Sequence, residues 1–132
     1  MENLDFLIRE LCKLPQESEW FEFKTNNERP EMIGKTISAL ANGAVLVEKA
    51  YAYLVWGVDD KTHEIIGTDV RLPLVHSGNE ELANWLRTML SGNADFQFDT
   101  VEIDGKHLEL IIISAAKTYP VSFEKVNYIR VG

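Results

Sequence analysis

Apolar and polar residues repeat with two different periods along the first half of the chain. Leucine and isoleucine recur at helical spacing over residues 3–14, which predicts an amphipathic helix. Segment 20–24 then alternates with a period of two, which is typical of a strand. Pro30 is suited to a first helical position, and the apolar spacing after it predicts a second helix through Ala44.

The second half of the chain contains more strands than helices. Further strands are predicted at 51–58, 63–67, 96–103, 107–114, 120–123 and 127–131. The run 51–58 is apolar on both faces, as expected of a central strand. A third helix is expected between Asn79 and Gly92, and Asp104-Gly105 is a two-residue hairpin turn. These elements predict one α+β (mixed α/β) domain, with about three helices and a mixed, largely antiparallel sheet of about six strands.

Length and composition agree with a single domain. The chain has 132 residues, of which 45% are hydrophobic and 26% are charged, and these fractions are ordinary for a globular protein. The only cysteine, Cys12, cannot form an internal disulfide, which favours a reducing compartment. No apolar stretch approaches membrane-spanning length, and the N-terminus carries acids where a signal peptide carries positive charge. We therefore expect a cytoplasmic protein without a membrane partner.

The net charge of −8 argues against nucleic-acid binding through overall charge. Folding can still gather dispersed bases into a local groove. Lys24 and Arg130 are the first candidates, because each lies on a predicted strand beside large apolar residues, and Lys35 and Lys117 are further candidates. Each of the first two has a structural alternative, an ion pair of Lys24 with Glu22 and an ion pair of Arg130 with an acid on a neighbouring strand.

The first predicted strand carries opposite charges on one of its faces. Phe21 and Phe23 point to one face and are predicted to pack in the core, whereas Glu22 and Lys24 point to the other. Glu17 precedes Glu22 by five residues, an odd spacing that places it on the wrong face of an unbroken strand. A turn after Glu17 is therefore required to bring the two carboxylates together.

The remaining candidate chemistry is weaker. Four aromatic side chains are candidates for stacking on bases: Trp20, Tyr53, Trp56 and Tyr128. Of these, Tyr53 and Trp56 are expected in the core. The histidines are scattered without ligand spacing, which argues against structural zinc. No glycine-rich run ends in Lys-Ser or Lys-Thr, so this segment has no expected ATP site.

Three motifs follow one another along the chain: ESEWFEFK at 17–24, ISALANGA followed by YLVWGVDD within 37–60, and PVSF followed by YIRVG within 120–132. In this order they resemble the Schlafen AlbA-like domain of bacterial transcriptional regulators, often found ahead of a RecG-helicase-like region, and of animal Schlafen proteins. The resemblance implies one DNA- or RNA-binding domain over 1–132, and we expect it to be the N-terminal part of a longer bacterial regulator.

Some animal members of the family are nucleases that cut transfer RNA with two glutamates and an aspartate. By motif position these acids correspond to Glu17, Glu22 and one of the pair Asp59-Asp60, with Asp60 preferred. The resemblance thus implies a metal-dependent endoribonuclease as an alternative, in which Mg²⁺ or Mn²⁺ would neutralise the mutually repelling carboxylates. No other cofactor is expected.

The chain also departs from the family pattern. The family's Asn-Thr-x-Gly-Gly turn after the second helix is replaced by Asn42-Gly43-Ala44 and a longer segment, so contacts of that turn are not carried over. The acidic charge suggests a third function, a protein-interaction or dimerisation domain with a second copy of the chain as partner. The sequence therefore leaves nucleic-acid binding, RNA cleavage and protein interaction open, with nucleic-acid binding as the leading hypothesis.

Overall fold

A four-stranded sheet lies at the centre of the computed structural model, which describes residues 3–130. The helices are α1 (Leu4–Cys12), α2 (Pro30–Leu46) and α3 (Leu82–Met89), and a short 3-10 helix covers Leu72–Leu74. The strands are β1 (Phe21–Lys24), β2 (Tyr51–Trp56), β3 (His76–Ser77), β4 (Glu80–Glu81), β5 (Leu90–Ser91), β6 (Phe96–Ile103), β7 (Lys106–Ser114), β8 (Ser122–Phe123) and β9 (Val126–Asn127).

The central sheet has the strand order β1-β2-β7-β6. β1 and β2 run parallel, with α2 as the crossover between them, whereas β7 pairs antiparallel with both β2 and β6. In this register Phe23 lies opposite Val55, and Val55 lies opposite Leu110. Within the described residues, β3 and β4 form a second sheet, and β5, β8 and β9 form a third. The predicted α+β class, a single domain with three helices and a mixed sheet, is confirmed.

β2 is apolar throughout because helices cover both of its faces. Trp56 belongs to the core between the sheet and the α2 and α3 layer, and Tyr53 belongs to the core beneath α1. Both side chains are buried, as the sequence predicted. Phe21 and Phe23 lie together under α1, so the period of two in β1 does separate a core face from a charged face.

Two predicted strand regions differ from the pattern. Segment 63–67 is irregular and makes one isolated bridge, between Val58 and Ile65, instead of a return strand. The carbonyl of Gly57 accepts the N–H groups of two successive residues there, which interrupts the strand ladder. The two C-terminal strands shorten to β8 and β9. β8 pairs with β5 and β9 pairs with β8, so neither joins the central sheet. Residue 131 of the predicted last strand lies outside the described residues.

Two observations concern membrane-spanning helices and the thiol of Cys12. None of the helices within residues 3–130 is both long enough and apolar enough to cross a membrane. Cys12 packs partly buried against the core under α1, and this burial raises the pKa of its thiol. A raised thiol pKa disfavours the reactive thiolate and agrees with a structural role for Cys12.

Polar side chains of α2 fix the path of the C-terminal segment. The Asn42 carboxamide donates to the carbonyls of Val121 and Tyr128, at 2.9 and 2.7 Å, and accepts the Val121 N–H at 2.8 Å. One turn earlier, the Ser38 hydroxyl donates to the Val121 carbonyl at 2.7 Å and accepts the Tyr128 N–H at 3.0 Å. These bonds replace strand pairing for Val121 and Tyr128, which explains why the terminal strands are short.

We expect the Asn42→Ala substitution to lower the free energy of unfolding by about 2–4 kcal/mol, because it leaves the buried Val121 N–H and the Tyr128 carbonyl without this partner. Urea denaturation measures the change. Asn84→Ala, at an exposed position of α3, serves as the control and should change the free energy by less than about 0.5 kcal/mol. Equal small effects of the two substitutions would contradict the role given to Asn42.

Candidate nucleic-acid interface

Two acids and two bases form a cluster at the edge of the central sheet. One terminal nitrogen of Arg130 contacts Glu22 Oε1, and the other donates to Glu17 Oε1 at 3.1 Å. Lys24 Nζ lies 2.8 Å from Glu22 Oε2. The sequence had left phosphate contact and structural ion pairing open for both bases, and the structure shows that both make ion pairs within the domain. We call these four residues the charged cluster.

A tight turn brings Glu17 beside Glu22. The chain reverses between Ser18 and Phe21, which form an isolated bridge. Glu17 Oε2 then accepts the Phe23 N–H at 3.1 Å, so the carboxylate is tied to the strand that carries Glu22. The turn that the odd spacing required is thus present, and it folds Glu17 back over the charged face of β1.

Gly43 allows this turn to lie against α2. A Cβ atom at Gly43 would approach the Glu19 carbonyl oxygen to 2.3 Å, which is closer than any side chain tolerates. Asn42, Gly43 and Ala44 are all helical, and they lie within α2. The segment that departs from the family's glycine turn therefore has a packing role, with Gly43 beneath the turn and Asn42 beneath the C-terminal segment.

The carboxylate of Glu17 is poorly solvated. Burial raises its pKa, the Phe23 N–H lowers it, the neighbouring charge of Glu22 raises it, Arg130 lowers it, and Asp60 raises it slightly, with a net rise. The side chains of Glu17 and Glu22 are only 15% and 11% exposed. Two carboxylates this close and this buried require cations, and Arg130 and Lys24 supply them.

The adjacent aspartates Asp59 and Asp60 have different surroundings. The Asp59 carboxylate accepts the N–H groups of Thr62 and Lys61, both at 2.8 Å, and these bonds lower its pKa. Asp59 is therefore a turn-forming residue. Asp60 is exposed and close enough to Glu17 to affect its pKa. The preference for Asp60 over Asp59 as a site residue stays a prediction.

The arrangement of these acids does not suit a divalent cation. All four carboxylate oxygens of Glu17 and Glu22 already contact protein nitrogens, those of Arg130, Lys24 and the Phe23 main chain. Within residues 3–130, no three His, Cys, Asp or Glu side chains are grouped so that they could hold a metal ion. The catalytic and metal-binding roles of Glu17, Glu22 and Asp60 stay predictions.

Two hollows that share Tyr128 and Ile129 lie along the C-terminal segment, and we call them together the groove. The first hollow, about 240 Å³ in volume, lies at the charged cluster. It is lined by Glu22, Lys35, Thr36, Ala39, Tyr128, Ile129 and Arg130. Tyr128 and Ile129 also line a second hollow of about 370 Å³, which Lys117 borders. Lys35 and Arg130 thus line one end of the groove, Lys24 is paired with Glu22 beside them, and Lys117 lies at the other end.

The sequence did not single out Tyr119, which borders the same hollow as Lys117 and is 63% exposed. Its position between Thr118 and Pro120, in a segment without apolar periodicity, was the available signal. Trp20, by contrast, has a cationic partner, since Lys49 Nζ lies 4.7 Å from its ring centroid. The aromatic side chains along the groove are therefore Tyr119 and the half-buried Tyr128.

A buried charge network also escaped the sequence. Glu109 is 1% exposed, accepts the Leu72 N–H at 2.7 Å, and lies 2.6 Å from His107 Nε2. The other ring nitrogen of His107 is 3.0 Å from Glu102. This network ties the segment around Leu72 to the sheet, and none of its members lines the groove.

The fold and the charged cluster define an α+β domain of the type that the three sequence motifs indicated. Residues 17–132 match the family model described as Schlafen, AlbA_2. The match covers most of the chain, and the chain belongs to the Schlafen AlbA_2 family. It begins at Glu17 and contains the whole charged cluster, whereas α1 precedes it. A comparison with curated proteins found no match.

The raised pKa of Glu17 predicts a dependence of stability on pH. A carboxyl group with a raised pKa in the folded state contributes stability that is fully present below its unfolded pKa, near 4.3, and is lost as pH rises through the folded value. We therefore expect the wild type to lose stability relative to Glu17→Gln from about pH 4 upward. Urea denaturation at a series of pH values measures the difference. Glu31→Gln, at an exposed site on α2, is the control, and the same pH course in both variants would exclude Glu17 as the cause.

Proposed function

We propose that this domain binds nucleic acid along the groove between the charged cluster and Lys117. The observation that carries the proposal is the gathering of Lys24, Lys35 and Arg130 at one end of a groove whose far end is bordered by Lys117. Membership of the Schlafen AlbA_2 family is consistent with such a partner. As a finer part of the proposal, the domain serves as the DNA- or RNA-binding part of a bacterial transcriptional regulator.

The chemistry of the groove suits a nucleic-acid strand. Lysine and arginine side chains contact phosphates, while exposed aromatic rings stack on bases without demanding a particular sequence. Tyr119 and Tyr128 line the same hollow as Lys117, and Tyr128 also lines the hollow that contains Lys35 and Arg130. Because the protein as a whole is acidic, with a net charge of −8, the attraction is confined to this surface. We therefore expect few phosphate contacts and a moderate dependence of affinity on salt.

Fluorescence anisotropy with labelled single- and double-stranded DNA and RNA tests the proposal. We expect Lys35→Gln and Lys117→Gln each to weaken binding about threefold to tenfold and to lower the slope of log affinity against log salt by about 0.7–0.9, the value for one lost phosphate contact. Lys13→Gln is the matched control, because Lys13 is exposed next to α1 on the opposite face of the sheet. The proposal is wrong if none of the four probes shows salt-dependent binding.

A second candidate is a metal-dependent endoribonuclease. The observation that favours it is the approach of Glu17 to Glu22, with Asp60 close enough to raise the pKa of Glu17. Its difficulty is that Arg130 and Lys24 already occupy the carboxylates. Incubation of the protein with transfer RNA and Mn²⁺ decides the matter. The candidate predicts cleavage that Glu22→Ala abolishes, and cleavage that persists in Glu22→Ala would remove these acids from consideration.

Self-association is also a prediction. A stable homodimer without any affinity for nucleic acid would favour the protein-interaction alternative. Sedimentation velocity at several protein concentrations distinguishes a monomer from a dimer.

A further inference from the structure

We propose that Glu17 and Glu22 are positioning residues for nucleic-acid binding, which hold Arg130 and Lys24 ready to contact phosphate. The inference rests on the proposed nucleic-acid-binding function and assigns to the two acids a role that does not require metal. It makes an unusual prediction, since removing a negative charge from the site should weaken the binding of a negatively charged ligand.

The geometry leaves donors free on both bases. A guanidinium has five N–H donors and an ammonium has three. Glu17 and Glu22 contact the two terminal nitrogens of Arg130, one each, and Glu22 contacts Lys24 through its other oxygen. Each terminal nitrogen carries a second N–H, and Lys24 keeps further donors as well. The side chains of Arg130 and Lys24 are 29% and 26% exposed, so a phosphate in the groove can reach these donors.

Basic side chains that are already oriented before phosphate binds lose less conformational entropy on binding. Long basic side chains on an open surface lose rotamer freedom when they bind a phosphate, and this loss weakens binding. Arg130 is already held at two points by carboxylates that are themselves fixed, Glu17 by the Phe23 N–H and Glu22 by burial in β1. The main chain of Tyr128 is bound to α2 just before Arg130, which limits how far the guanidinium can move.

Electrostatic repulsion between a carboxylate and phosphate allows a positioning acid to be distinguished from an ordinary one. A carboxylate near the groove repels phosphates, so an acid without a positioning role should bind nucleic acid more tightly when neutralised. A positioning acid should show the reverse. In Glu22→Gln, the side chain has a single acceptor oxygen for two cations. Its new amide N–H groups would face the N–H donors of Arg130 or Lys24, with which they cannot form a hydrogen bond. The variant therefore cannot hold both Arg130 and Lys24.

The experiment is fluorescence anisotropy with a labelled single-stranded oligonucleotide and a labelled duplex, on wild type, Glu22→Gln, Arg130→Gln and the double variant. We expect each single variant to bind roughly fivefold more weakly. In the Arg130→Gln background, most of the benefit of Glu22 is gone, so Glu22→Gln should no longer weaken binding and should leave it unchanged or strengthen it. This change of sign is not expected from a merely structural effect. Glu31→Gln, an exposed acid on α2, is the control and should leave binding unchanged or slightly tighter.

Two further variants secure the result if Glu22→Gln proves unstable in thermal melts. Glu17→Gln removes one of the two anchors at a less buried position. Arg130→Lys keeps the charge but cannot reach both acids with two nitrogens, so it should also bind more weakly than wild type.

The outcomes separate this inference from the proposed function. Wild-type binding together with tighter binding of Glu22→Gln or Glu17→Gln overturns the positioning role alone. No binding by the wild type overturns both. Weaker binding of Glu22→Gln that persists unchanged in the Arg130→Gln background overturns the positioning of Arg130, because the acid would then act without that side chain.

Discussion

The hydrogen bonds of the Asn42 carboxamide are the constraint on which the candidate interface depends. They attach Val121 and Tyr128 to α2 and so fix the part of the C-terminal segment that leads to Arg130. Arg130 follows two residues after Tyr128 and reaches Glu22, although 108 positions separate the two residues along the chain. Closing so long a loop costs conformational entropy. Packing and several buried hydrogen bonds offset that cost, which a single surface ion pair does not.

The same ion pairs have a stabilising and a functional aspect. A buried carboxylate such as Glu22 is costly unless cations and hydrogen bonds accompany it, so Arg130 and Lys24 compensate its charge. The compensation also brings two bases to the edge of a groove with free N–H donors. In this arrangement, Glu17 and Glu22 hold cations that belong to the protein itself.

A net charge of −8 does not exclude phosphate binding at a groove bordered by Lys35, Arg130 and Lys117. Phosphate affinity depends on the bases within a few ångströms of the strand, because salt screens charges beyond about 8–10 Å. Acids on other surfaces therefore weaken binding little. They do disfavour indiscriminate attachment, so the proposed contacts are limited to the groove between Lys35 and Lys117.

Elements with local signals could be predicted from the sequence. The alternation in β1 separated Phe21 and Phe23 from the charged face, the doubly apolar run placed β2 at the centre, and Asp104-Gly105 supplied a hairpin turn in which both residues have positive φ. The motif order was sufficient for the family. Contacts between distant segments could not be predicted in this way. The sequence showed that a turn was needed after Glu17, but not that Gly43 would support it, and it left the partner of Arg130 open. It also overestimated the strand at 63–67, because two N–H groups share the Gly57 carbonyl. Periodicity reports how each residue faces its own element, whereas the charged cluster depends on which elements meet, and that is decided by packing across the whole chain.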